Sequence, residues 1–104
     1  MNKIIKESEI MRNKFEKIMS DFNAEVSRIL IKKNWNQTQI GKLINTTQPA
    51  VSQYLNNLRG NGYLDNKYKI MINELCNENH ISKDKFRIEL LKLCIKRYEE
   101  LIEE

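Results

Sequence analysis

Residues 37–60 read QTQIGKLINTTQPAVSQYLNNLRG, two short apolar stripes at helical spacing joined by a polar hinge, and few folds accept such a segment. Ile40, Leu43 and Ile44 make the first stripe, with Gln39 and Lys42 pointing away; Val51, Leu55 and Leu58 make the second at i, i+4 and i+7, with Tyr54 beside them. Asn36 or Gln37 opens the first helix. Asn45 ends it, because Asn is the best substitute for Gly where the turn between two closely crossing helices requires a left-handed residue. Thr47 is placed to N-cap the second helix, and Pro49 is tolerated in its first turn, where its missing N–H would have had no intrahelical partner. Gly41, without a side chain, lets the two helices cross at a steep angle. The segment is predicted to be a helix-turn-helix closed by Gly60-Asn61-Gly62.

The remainder also predicts helices. Three Gly and one Pro in 104 residues suit helices joined by short turns, and nothing alternates with period two for long enough to make a sheet. A chain of this length has room for one domain with one core, so the expectation is an all-α, compact helical domain over residues 1–104 with a central helix-turn-helix and a long C-terminal helix. Its parts are an N-terminal helix over 1–20, the helix-turn-helix core over 21–60 and C-terminal helices over 61–104. Ile4, Met11, Phe15, Ile18 and Phe22 mark the first helix face. Ser20-Asp21 offers an N-cap for a second helix with the stripe Phe22, Val26, Ile29 and Leu30, ending near Lys32-Lys33-Asn34 where basic residues suit a helix C-terminus. Asp65 or Asn66 can cap a later helix with Tyr68, Ile72 or Met71, and Leu75 inward. Ser82 can cap the last, whose stripe is Phe86, Leu90, Leu93 or Cys94, Arg97 or Tyr98, and Leu101. That helix carries Ile88, Leu91, Ile95 and Ile102 besides, an apolar surface wide enough to cover the core and still meet a second subunit.

Charge narrows the function. Residues 35–64 contain no Asp or Glu in a chain with 14 acids, while Gln, Asn, Ser and Thr are dense there and Lys42 and Arg59 bracket the segment. Such a surface approaches a polyanion without like-charge repulsion and offers neutral hydrogen-bonding groups, which points to double-stranded DNA. The balance of basic over acidic residues is +3 for residues 1–34, +2 for 35–64 and −1 for 65–104, so the positive end is the N-terminal two thirds. A pI near 9.1 agrees with this. No apolar run approaches the roughly 18 residues of a membrane span, and the N-terminus breaks into acids before a signal-peptide core can form, so a cytoplasmic protein is expected. Cys76 and Cys94 fall in predicted helices and read as small buried apolar groups rather than as a disulfide.

Catalysis finds little footing: one His, no Gly-rich phosphate loop, no acid pair in the motif and no nucleophile with a nearby base. Cys76 and His80 at i, i+4 could join Cys94 as three zinc ligands, but a fourth is wanting and the spacing fits no familiar zinc module. Neither an enzyme nor a bound metal or cofactor is expected.

The string TTQPAVSQYLNNLRG resembles the helix-turn-helix of lambda-repressor-like (XRE-type) regulators, and most closely a group of small predicted archaeal transcriptional regulators whose recognition segment ends in a similar TQxAVSQYL followed by RG. The likeness covers residues 25–60. It implies that Gln37, opening the first of the two helices, contacts DNA backbone, and that Gln48 and Gln53 read base edges. Two positions depart from the pattern: Asn45 stands where Gly is usual, and Pro49 stands where a polar reader is often found, able to touch a thymine methyl but not to donate.

The expected mechanism places the helix starting near Gln48 in the major groove. Gln48 and Gln53 suit bidentate bonds to adenine, each worth about 1 to 3 kcal/mol of discrimination, while Ser52 suits either base type and Pro49 a methyl. Gln37, Thr38, Lys42, Asn56 and Arg59 would hold flanking phosphates, with the N–H groups that open the Gln37 helix. One such helix reads too few base pairs to find a site in a genome, so a homodimer on two half-sites about 34 Å apart is expected, with residues 82–102, alone or with the first helix, as its material. Two other readings stay open. One is an antitoxin or adaptor-type interaction protein whose C-terminal helix binds a partner; the other is a winged helix, with residues 63–70 in a small hairpin instead of a helix.

Overall fold

Five α-helices make up the described residues of the computed structural model, and no strand occurs among them. The structure describes residues 2–60, 64–78 and 80–103, with side chains from Glu7 onward, so Ile4, Asn61 and Gly62 lie outside what is described at side-chain level. Helix α1 is Asn2–Lys32, α2 Gln37–Leu43, α3 Gln48–Leu55, α4 Asn66–Asn77 and α5 Lys83–Glu103. The all-α expectation is met.

Helix α1 is the spine. It packs against each of the other four helices, and its 31 residues, about 46 Å at 1.5 Å per residue, account for the 48 Å long axis of the molecule. The expected division at Ser20-Asp21 does not occur. Nothing there stops a helix, and the stripe Phe15, Ile18, Phe22, Val26 and Leu30 runs through it at steps of three and four without losing phase. Burial begins at Ile18, with Phe15 half-buried and edge-on to Tyr98 at 5.5 Å between ring centroids. Met11, expected inward, is exposed.

Three successive helices end by one device. Asn34, Asn45 and Asn57 have φ of 69°, 59° and 60°, and in each case the next residue's N–H reaches back five positions: Trp35 to the Leu30 carbonyl, Thr46 to Gly41, Leu58 to Gln53. This satisfies carbonyls that a helix end would otherwise leave unpaired. The sequence singled out Asn45 alone, yet the device also explains where α1 and α3 stop.

The core is continuous through Phe22, Val26, Leu30, Ile40, Val51, Tyr68, Ile72, Phe86, Leu90 and their neighbours. Helix α4 buries Tyr68, Ile72 and Leu75 and occupies residues 66–70, so a hairpin wing does not form there; Tyr63 lies outside the described residues. Asp65 sits at its N-cap position without making the cap bond and instead accepts from Arg97 at 3.2 Å. Ser82 caps α5 as expected, accepting from the Lys85 N–H. Cys76 and Cys94 are free and buried, and burial pushes their thiols up to about 11 and about 12; for Cys76 the nearby Lys33 opposes the shift. The buried Tyr68 hydroxyl faces Glu100 without closing a hydrogen bond of ordinary geometry, and burial, reinforced by that carboxylate, pushes its ionisation well up. His80 is exposed while both cysteines are buried, and no metal-binding cluster of His, Cys, Asp and Glu occurs among the described residues.

Candidate nucleic-acid interface

The α2–α3 unit is held by local chemistry that the sequence announces. Asn36 and Gln39 form a reciprocal capping box at the start of α2: the Asn36 side chain accepts from the Gln39 N–H at 2.8 Å, and the Gln39 side chain accepts from the Asn36 N–H at 3.0 Å. Thr47 caps α3 by accepting from the Ala50 N–H at 3.3 Å, with Pro49 in the first turn. A Cβ on Gly41 would stand 2.9 Å from the Thr46 carbonyl oxygen, which is the close approach that required a glycine. Asn45 adopts the left-handed conformation that the turn between the two helices needs.

Helix α3 buries Ala50, Val51 and Tyr54 against α1 and α2. Its other side presents Gln48, Pro49, Gln53 and Asn56 exposed and Ser52 half-exposed, and 100° per residue puts these five on one continuous face. All four expected base readers are thus together. Among the described residues α3 touches neither α4 nor α5, so nothing from those helices covers this face.

Of the five residues expected at the DNA backbone, Gln37 is tied most closely to the outer face of α3. The Gln48 amide donates to the Gln37 carbonyl oxygen, fixing the first residue of α3 to the first residue of α2. Asn56 donates to the Ser52 hydroxyl at 3.4 Å. Arg59 lies over the Tyr54 ring, its guanidinium carbon 5.8 Å from the centroid, a position that steadies the cation while leaving it exposed. Thr38 and Lys42 are exposed on α2. The N–H of Gln39 is occupied by the capping box, so the start of α2 offers fewer free donors than the sequence suggests.

One residue of the motif corrects the sequence reading. Leu58 belongs to the inward stripe by helical spacing but is 77 % exposed, because α3 ends at Leu55 and the left-handed Asn57 turns the chain before the helical phase can carry it to the core. Tyr54 is buried, as expected, and its hydroxyl accepts from the Asn23 amide at 3.4 Å.

Sequence reasoning missed Arg28. It leaves α1 to donate to the Asn57 side-chain carbonyl at the end of α3, with Glu25 at 3.7 Å on its other side. A signal existed: the acid-free stretch starts directly after Glu25 and runs over residues 26–64, so it takes in Arg28, Lys32 and Lys33. Gly60 closes the motif, and the reason for a glycine there is tertiary. Its φ is +73°, and a Cβ there would collide with the backbone of Ser20 on α1.

No helix among the described residues is long and apolar enough to cross a membrane. Compared with known proteins, the chain matches no family model, no curated protein and no solved structure. Function is therefore argued from the site.

Proposed function

We propose that this chain is a sequence-specific double-stranded-DNA-binding transcriptional regulator of the lambda-repressor-like (XRE-type) kind, reading the major groove with α3 as a homodimer. The observation that carries the reading is the outer face of α3: five short polar or neutral side chains on one side of a helix, no carboxylate among them, and the Gln48–Gln37 bond joining that face to α2. A recognition helix needs side chains short enough to enter the groove and able to both donate and accept, which Gln48, Ser52 and Gln53 are. Pro49 offers an apolar edge for a thymine methyl. Gln37, Thr38, Lys42 and Arg59 flank the reading face and, with Asn56 at its end, hold phosphates, with Arg28 added to their number as a cation at the far end of α3. A domain of this size blocks polymerase more readily than it recruits it, so repression is the proposed outcome.

Selection of bound sequences from random duplex DNA at two salt concentrations tests this. A short inverted repeat is expected to emerge, with Gln48→Ala relaxing one position in each half-site by about 1 to 3 kcal/mol and Arg59→Ala weakening all sequences alike while lowering the salt slope by about 1. No enrichment and no salt-dependent binding would end the DNA reading.

The exposed apolar side of α5 favours one other reading, an antitoxin or adaptor whose α5 binds a different protein. Its mark is a chain that needs that protein to stay in solution.

A further inference from the structure

Helix α5 has a second apolar face that its own core leaves uncovered. Ile88, Leu91, Ile95 and Ile102 are between 40 % and 54 % exposed, and with the half-buried Tyr98 they follow one another at steps of 3, 4, 3 and 4. That spacing is a heptad seam, set about a third of a turn from the buried stripe Phe86, Leu90 and Cys94. It runs about 21 Å along the helix. Solitary exposed apolar residues are ordinary, but four in register along one helix, with Tyr98 among them half-buried against Phe15, are a surface that gains free energy by leaving water.

The pattern also says what covers it. Ile95 lies at the middle; Ile88 and Ile102 stand seven residues to either side, and Leu91 and Tyr98 four before and three after. The seam therefore reads nearly the same in both directions, which is what a two-fold contact between identical helices requires. The flanking charges agree. Lys92 and Glu99 are both exposed along one edge of the seam, three residues before and four after Ile95, so in an antiparallel pair centred on Ile95 each Lys92 falls within one residue, about 1.5 Å along the helix, of the level of the partner's Glu99. In a parallel pair the edges would instead bring Arg87 against the partner's Lys92, a repulsion. Lys92 already meets Glu89 at 3.1 Å within its own helix, so the partner's carboxylate would share a cation that is held in place.

We propose that α5 pairs antiparallel with α5 of a second copy of this chain, about a two-fold axis at Ile95. This deepens the dimer part of the function proposed above and rests on its expectation of a symmetric pair. Because α5 packs on α1, α2 and α4 and not on α3, the pairing leaves both α3 faces open.

Sedimentation equilibrium of the full chain over about 5 to 200 µM, without DNA, tests the pairing. The unaltered chain is expected to dimerise. Ile95→Lys places two cations on the axis and is expected to weaken the dimer at least about 100-fold, with far-UV circular dichroism unchanged because Ile95 lies outside the core. Lys92→Glu and Glu99→Lys are each expected to weaken it about tenfold, and the two together to restore it to within about threefold. A chain that stays monomeric, a dimer indifferent to Ile95→Lys, or a double reversal no better than the singles would each overturn the proposal. Since no DNA is present, such a failure leaves half-site reading by α3 to be judged by the selection experiment alone.

Discussion

Helix α3 buries Ala50, Val51 and Tyr54 and turns Gln48, Pro49, Gln53 and Asn56 to water, whereas α5 buries Phe86, Leu90 and Cys94 and turns Ile88, Leu91, Ile95 and Ile102 to water. Both are amphipathic toward the same core, and the chemistry of the outer face separates them. A polar, neutral face has nothing to gain by leaving water unless a partner offers equivalent hydrogen bonds, as base edges and phosphates do. An apolar face gains by leaving water against almost any apolar surface, and symmetry makes a second copy the nearest one. Changes on the two faces should therefore be separable: on α3 they alter which DNA is bound, on α5 how many chains assemble, and on neither should they much alter the fold.

The way to break that separation is to strike what holds α3 in place. Gly60 combines a left-handed backbone with contact against Ser20 on α1, so Gly60→Ala should strain the turn and push the end of α3 off α1. A loss of about 3 kcal/mol, more than about 10 °C in melting temperature, is expected, with DNA binding and dimerisation falling together. If thermal melts moved by only a degree or two, Gly60 would not be the tie it is described as.

Alkaline pH should separate the two halves. Cys76 and Cys94 lie on the buried sides of α4 and α5 with thiols raised to about 11 and about 12, against an ordinary value near 9. In the unfolded chain they release protons first, so the native state holds more protons above pH 9, and the stability they contribute below it is lost as pH rises toward 11 to 12. Melting temperature should thus fall between about pH 8.5 and 10.5, by several degrees, and fall less steeply in a Cys76→Ala, Cys94→Ala variant. The outer face of α3 carries nothing that titrates over this interval. An equal slope in the variant would assign the loss to other groups.

A smaller effect sharpens the account of α3. If the Gln48–Gln37 bond prearranges the reader, the losses in DNA affinity from Gln48→Ala and Gln37→Ala should not add, leaving a coupling of about 1 kcal/mol in a double-mutant cycle. Melting temperature should stay within about a degree, because Gln48 is exposed, Gln37 is only half-buried and neither belongs to the core. Strict additivity would mean that each glutamine meets DNA independently.

These contrasts also show which parts of the molecule the sequence could reveal. The turn at Asn45, the caps at Thr47 and Ser82 and the close crossing at Gly41 were readable because each is decided within five or so residues. The outer face of α3 was readable for the same reason, a single helical period fixing which residues share it. What escaped was decided at a distance. Ser20-Asp21 has the residue types of a helix start, and only the unbroken stripe of α1 against the other helices keeps it interior. Arg28 meets Asn57 from 29 positions away, and Gly60 is fixed by Ser20, neither visible to any local pattern.

Leu58 gives the smallest expected effect and the most direct check on that distinction. By helical period it belongs with Val51 and Leu55, and a core leucine of that kind costs about 2 to 5 kcal/mol when truncated. In the folded chain α3 stops at Leu55, Asn57 reverses the backbone, and Leu58 stands 77 % exposed. Its main-chain N–H still serves, bonding the Gln53 carbonyl at 2.9 Å, but that bond does not depend on the side chain. Leu58→Asn should therefore change stability by less than about 0.5 kcal/mol, while Leu55→Ala, half-buried against the core, should cost more. A loss at position 58 as large as at 55 would mean that α3 continues past Asn57 and that its polar outer face extends with it.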